Sequence, residues 1–460
     1  MNISFTTILG MLFALGLVCL TGMYAGRKVT SAADFTTGSN MGVSMVAGGL
    51  IGTLVGGAST IGTAQLAYTY GFSAWWFTLG GGIGLVIMAA FFAKPLYTSG
   101  SKTLPQILSK EYGKKIATLA AVLMSVGTFI SIVSQLLSGS ALLTSITPLT
   151  SGMAMFAVIF LMGVYVIFGG ALGAGMVGIL KTILLYVSTI VCGLLSLKLG
   201  GGLEVFREAL PAEQYFNLFA RGYWKDGGAG ASLVFGVLTT QAYILPVISA
   251  KDLKTSKAGA LLGGALTVVI GIAGIFVGMY MKLFLPDIPS SAAMPQFVIH
   301  CVPGFLGGVI LATLLIAIIG TGAGLALGIS SMVSRDIYKV YFRPQATDRE
   351  NLRFSRLVIL AVLLSAALFS MGEVGSMILN WSFLSMGLRG AVAFAPMCFA
   401  LFSPGRIGAK FAGAAMVCGP VLVLVGSFIL PPDIDPLFLG MAGSGIICFM
   451  GWFLGKKPAA

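Results

Sequence analysis

The chain has 460 residues, 57% of them hydrophobic and only 9% charged, where a soluble globular protein carries roughly a quarter charged. That excludes an ordinary soluble fold and assigns the apolar surface to lipid. The formal net charge of +13 does not point to nucleic acid, because the Lys and Arg residues are scattered through short segments between apolar runs, as membrane topology requires.

A spanning helix needs about twenty apolar residues. Turn and charge clusters divide the chain into thirteen such stretches: 5–24, 42–69, 73–97, 116–145, 152–171, 174–199, 231–249, 257–283, 304–333, 355–372, 375–402, 408–430 and 436–455. The first has no basic segment before it and is followed by Arg27 and Lys28, so it reads as a retained helix with its N-terminus outside rather than a cleaved signal. The second runs Gly48-Gly49-Leu50-Ile51-Gly52-Thr53-Leu54-Val55-Gly56-Gly57-Ala58-Ser59-Thr60. Tight packing would explain the glycines, whereas a backbone that unwinds and offers carbonyls to an ion would explain the hydroxyls as well. The sixth stretch carries Lys181 and the eleventh Arg389, the two basic residues left inside apolar stretches. A rise of about 1.5 Å per residue puts Lys181 about 10 Å along its helix and Arg389 near mid-membrane.

Charge placement tests this division. With the N-terminus outside, the inner segments receive twenty of the 27 Lys and Arg residues and the outer segments five, the bias expected of a multi-pass plasma-membrane protein whose C-terminus is cytoplasmic. All fourteen Asp and Glu residues fall in loops or at helix ends, which argues against a carboxylate proton relay in the hydrocarbon and against a paired-carboxylate hydrolase. The single histidine, His300, lies beside Cys301 in an expected exterior loop; it permits no Ser-His-Asp set and falls short of a zinc ligand set. The six cysteines (Cys19, Cys192, Cys301, Cys398, Cys418 and Cys448) are far apart and indicate no disulfide framework. No phosphate-cradling Gly-x-x-x-x-Gly-Lys-Ser/Thr loop occurs. The expectation is a transporter driven by an ion gradient, not an enzyme, with no organic cofactor.

The second stretch continues as Ile61-Gly62-Thr63-Ala64-Gln65-Leu66-Ala67-Tyr68-Thr69-Tyr70-Gly71-Phe72-Ser73-Ala74-Trp75-Trp76, and this passage resembles the sodium:solute symporter family. Further matches follow in family order: Ala33-Asp34-Phe35 before it, then Thr103-Leu104-Pro105-Gln106, Glu111-Tyr112-Gly113, Gly169-Gly170, Gln241 with Ile244-Leu245, Ser334-Arg335-Asp336-Ile337-Tyr338 and Ser355-Arg356. The resemblance implies an all-α, LeuT-type membrane fold of about thirteen helices forming one transporter domain over 1–460. Its core would be two five-helix inverted repeats, 42–199 and 231–402, with an extra helix at 5–24 and two more within 408–455.

The resemblance also implies a Na⁺ site formed by the carbonyls of Gly52, Val55 and Ala317 and the hydroxyl of Thr321, in Ala317-Ile318-Ile319-Gly320-Thr321. The family pattern has serine where this chain has Gly320, so the site loses one hydroxyl. Gly178 and Lys181 likewise stand where the family usually has an acidic residue and a glutamine. In some proton-coupled transporters of the wider fold a lysine on this helix takes the place of Na⁺. Three readings of Lys181 follow: it replaces Na⁺ and couples transport to protons, it sits beside an ordinary Na⁺ site, or it snorkels without a role. Arg389 either caps a helix break or meets a substrate carboxylate. Ser59, Thr60, Gln65, Thr239, Thr240 and Gln241, in the two helices expected to be interrupted, are candidates for a small polar solute, although each alone is more often a helix–helix hydrogen bond. An organic carboxylate or amino acid is the favoured cargo. A channel or uniporter, or a transporter-like sensor, are the competing readings.

Overall fold

The computed structural model describes residues 4–26, 40–373 and 375–454; for Cys19 and residues 22–26 and 167–177 only the backbone is described. The Ala33-Asp34-Phe35 motif, Arg27, Lys28, Lys456 and Lys457 lie outside the described residues. The described chain is helical, without a β-strand.

In chain order the helices are α1 (Phe5–Gly26), α2 (Val43–Leu54), α3 (Thr63–Tyr70), α4 (Trp76–Ile87), α5 (Ala93–Thr98), α6 (Leu104–Tyr112) and α7 (Lys114–Ile146). Then follow α8 (Ser151–Leu199), α9 (Leu203–Ala209), α10 (Ala212–Tyr215), α11 (Tyr223–Thr239), α12 (Gln241–Ile248), α13 (Leu253–Phe284) and α14 (Ala293–Cys301). The last are α15 (Gly304–Met332), α16 (Asp348–Ser370), α17 (Ile378–Phe402), α18 (Ala409–Ile429) and α19 (Leu437–Leu454). His300, expected in a loop, sits in the last turn of α14.

Among the described residues, nine helices are long and apolar enough to cross a bilayer, or ten if the bent pair α11–α12 counts as one span. This differs from the thirteen expected. Phe5–Val18, Val43–Leu54 and Ser151–Val166 are apolar but shorter, and Ala58–Thr98 runs on as one long segment. The stretches 152–171 and 174–199 also join, as the 49-residue α8. Around their junction lie Gly169, Gly170, Gly173 and Gly175 but neither proline nor charge, and a helical glycine costs only about 1 kcal/mol.

Two interruptions position the site. α2 stops at Leu54, Val55 is extended, and the chain resumes as a π-turn over Ala58–Gly62 before α3. In an unbroken helix the Gly56 N–H would close on Gly52 O; here it donates to Ser59 Oγ (2.9 Å), and Gly57 N–H donates to Gln135 Oε1 on α7 (2.8 Å). Side chains thus take the amides and the Gly52 carbonyl is released. The glycines are required for space: a Cβ on Gly56 would lie 2.4 Å from Thr321 Oγ1, and one on Gly57 2.4 Å from Ser138 Cβ. The second interruption is a 49° bend between α11 and α12 at the extended Thr240. Thr239 and Thr240 turn their hydroxyls back onto Phe235 O (2.8 Å) and Gly236 O (2.5 Å).

Candidate functional site

The released Gly52 carbonyl, α8 and α15 meet at one point. Lys181 on α8, 1% exposed, donates from Nζ to Gly52 O (2.5 Å) and to Thr321 Oγ1 (3.0 Å). The Thr321 hydroxyl lies 3.2 Å from Gly52 O and 3.3 Å from Val55 O, to either of which it can donate. Ala317, one turn before Thr321 on α15, is buried. Two of the five residues expected around Na⁺, Gly52 and Thr321, therefore hold the lysine nitrogen, and Gly320 explains how it fits: a Cβ there would stand 3.4 Å from both Cδ and Nζ of Lys181. A serine would add its hydroxyl in the same space.

The oxygens Gly52 O, Val55 O and Thr321 Oγ1 are suited to a hard cation, but the ammonium already uses two of them. A Na⁺ about 3 Å from a protonated lysine would meet a repulsion on the order of 5 kcal/mol at an effective dielectric of about 20.

A cavity of about 50 Å³ adjoins Lys181. Its walls include Gly49, Gly52 and Thr53 of α2, Tyr165 of α8, Pro246 of α12, and Gly320, Gly324 and Gly328 of α15.

Arg389 on α17 is fully buried. Its Nε donates to Ser385 O (3.1 Å), and its Nη2 donates to Ser131 Oγ of α7 (2.8 Å) and lies 3.1 Å from Ser385 Oγ. Nη1 is buried without a hydrogen-bond partner. A Cβ on Gly127 would stand 2.6 Å from Arg389 Cγ, so that glycine makes room for the stem. The guanidinium ends a polar seam between α7 and α17. Ser131 meets Ser385 (2.7 Å), Ser382 donates to Ser134 (2.9 Å), and Gln135, next to Ser134, accepts from Gly57 at the helix break. Gln135 and these serines were not among the expected site residues. A hydroxyl or amide inside an apolar helix looks like any back-bonded polar residue until its partner helix is known.

The other expected solute residues do not converge on one surface. Ser59 and Thr60 bond back to Gly56 O (3.0 and 2.8 Å) and line the break. Gln65 donates to Ser376 O (3.2 Å) and accepts from Ile378 N–H (2.9 Å), clamping α3 to the start of α17. Gln241 donates to Lys102 O (3.0 Å) and accepts from Leu104 N–H (2.9 Å), holding the loop before α6. In that loop Thr103 donates to the Asp336 carboxylate (2.9 Å), so two of the matched motifs touch each other.

Residues 35–419 match the sodium:solute symporter family. The chain is 25% identical over 484 residues to the uncharacterized symporter YwcA of Bacillus subtilis (strain 168), covering 98% of this chain and 93% of that one. It is 22% identical over 451 residues to the urea-proton symporter DUR3 of Oryza sativa subsp. japonica, covering 88% of this chain but only 62% of the rice protein. Its fold matches the substrate-bound, outward-open structure of a Na⁺-coupled sialic acid symporter with a TM-score of 0.84 over the full length of both chains, at 16% sequence identity. With the helical architecture and the matched span together, the chain belongs to the sodium:solute symporter family and is a multi-pass membrane transporter, a solute symporter rather than an enzyme.

Proposed function

We propose that the protein carries a small polar solute by alternating access and couples it to protons, with the Lys181 ammonium standing where relatives would bind Na⁺. The observation that carries this reading is the pair of contacts from Lys181 Nζ to Gly52 O and Thr321 Oγ1. When protonated, the lysine ties α2 to α15 as a cation would. When it gives up its proton, the charge-assisted bonds weaken and the two elements can separate. The repeats 42–199 and 231–402 would then move against each other around the interruptions at 55–57 and 240, with the N-terminus outside. A relative named a urea-proton symporter is in keeping with proton coupling in this family. The free Nη1 of Arg389 is a donor that prefers an anion, which supports an organic carboxylate or amino acid as cargo.

Na⁺ coupling is the second reading. It is favoured by the family itself and by the grouping of Gly52, Val55 and Thr321 oxygens around one point.

The test uses reconstituted protein and a panel of radiolabelled amino acids and short organic acids. Lys181→Gln should abolish accumulation driven by a pH gradient yet retain solute exchange at equal pH on both sides. Undiminished pH-driven accumulation by Lys181→Gln would remove the proposal.

A further inference from the structure

We propose that the cavity beside Lys181 is a water-filled half-channel through which this lysine delivers its proton to one side of the membrane, the side of Met41, Ser249 and Lys251. The inference rests on the proton-coupling reading above and adds a route and a direction to it.

An ammonium has three N–H donors, and protein atoms take two of those on Lys181. The side chain also lines the cavity, leaving the third donor an acceptor only if water enters. About 50 Å³ is ample for water, which needs roughly 10–15 Å³ on this measure and polar partners around it. The partners are present: Lys181, the Thr53 hydroxyl and the Tyr165 phenol all line the same space.

From Lys181 the space extends past Gly324 to Met41, Pro246 and Gly328. Met41, next to the exposed Asn40, is itself buried, at 3% exposed. Its N–H donates to Ser249 O (3.0 Å) and its carbonyl accepts from the amide of Lys251 (3.1 Å), whose side chain is exposed. Gly320, Gly324 and Gly328 recur every fourth residue, so α15 shows the cavity one bare face. Cβ atoms at these positions would meet Lys181, Thr53 and Ala242 at 3.4, 3.3 and 3.5 Å, so side chains there would fill this face at or just inside van der Waals contact, and their absence leaves the space. Tyr165 is the other titratable group in the lining; α2, α12 and α15 contribute neither carboxylate nor second cation to it. The acceptor of the proton is therefore water. An N–H bond of the ammonium breaks, its electron pair stays on Nζ, and a cavity water leaves as hydronium.

The test needs no identified solute. Gly328→Cys is introduced into the full chain and treated with a membrane-impermeant methanethiosulfonate ammonium reagent in right-side-out and inverted vesicles, with the wild type as background control. In parallel, Lys181 of the wild type is methylated with formaldehyde and cyanoborohydride, and its modification is read by mass spectrometry. We expect Gly328→Cys to react at least about ten-fold faster in inverted vesicles. Gly328→Leu should lower methylation of Lys181 about ten-fold while leaving exposed Lys251 unchanged. Should Gly328→Leu fold poorly, Thr53→Cys serves as a second thiol probe. Equal reaction from both sides, reaction only from the opposite side, or unchanged Lys181 methylation behind Gly328→Leu would each overturn the half-channel. If both reactions behave as expected but transport ignores pH, the coupling reading fails and the water route stands.

Discussion

Exchanging the coupling ion is the most informative perturbation. Lys181→Met keeps most of the length of the side chain and removes its charge, and with it two charge-assisted hydrogen bonds worth about 1.5–3 kcal/mol each. Gly320→Ser then restores the family's hydroxyl; its Cβ fits at 3.4 Å from the lysine position. The double variant presents the carbonyls of Gly52 and Val55, the Thr321 hydroxyl and the hydroxyl introduced at position 320, with no resident ammonium. Wild type should show no Na⁺-specific stabilisation, since Na⁺ and the ammonium repel by about 5 kcal/mol. If the double variant binds Na⁺ with a dissociation constant near about 1 mM, about 100 mM NaCl should stabilise it by about 2.7 kcal/mol. The assay is thermal unfolding in detergent, comparing sodium with choline chloride. Equal Na⁺ stabilisation of wild type and double variant would refute the reasoning, because a protonated Lys181 could not then be filling the site.

Four further outcomes follow from the contacts described. Gly56→Ala should destabilise by about 1–3 kcal/mol and impair transport, because its Cβ would fall 2.4 Å from Thr321 Oγ1 and 2.7 Å from Gln135 Oε1; melting temperature and uptake check this. Gln65→Leu leaves Ser376 O and Ile378 N–H without their partner and should loosen the α3–α17 clamp by about 1–3 kcal/mol, seen as faster thiol labelling at Ser376→Cys. Arg389→Met should lower thermal stability by a few kcal/mol, since the α7–α17 seam loses its shared donor, and a melting temperature within about a degree of wild type would contradict that role. Asp226→Asn breaks the buried pair with Arg221 (2.6 Å) and should cost about 3–5 kcal/mol, measurable as lost yield and melting temperature.

Much of this was legible before any coordinates. A lysine inside an apolar stretch and a glycine-dense passage at 48–57 are local anomalies visible in the sequence, while the glycine at 320 stands out only against the serine that the family resemblance implies. The structure joins all three at one point. What was not legible depends on partners distant in the chain. Gln135 looked like one more polar residue in α7 until the break at Gly57 turned an amide toward it. Gln65 and Gln241 are candidate solute ligands by their place in the two helices expected to be interrupted, yet each is matched to backbone groups more than a hundred residues away. The α8 run is continuous where two stretches are expected: clustered glycines resemble a turn, but without proline or charge the helix can continue through them.

The central claim is that Lys181, not Na⁺, supplies the coupling charge. Proteoliposomes containing wild-type protein can be given either an inward proton gradient without sodium or an inward Na⁺ gradient at equal pH, and solute accumulation followed in both. Accumulation under the proton gradient alone is the predicted result; accumulation that requires Na⁺ and ignores pH would contradict the account.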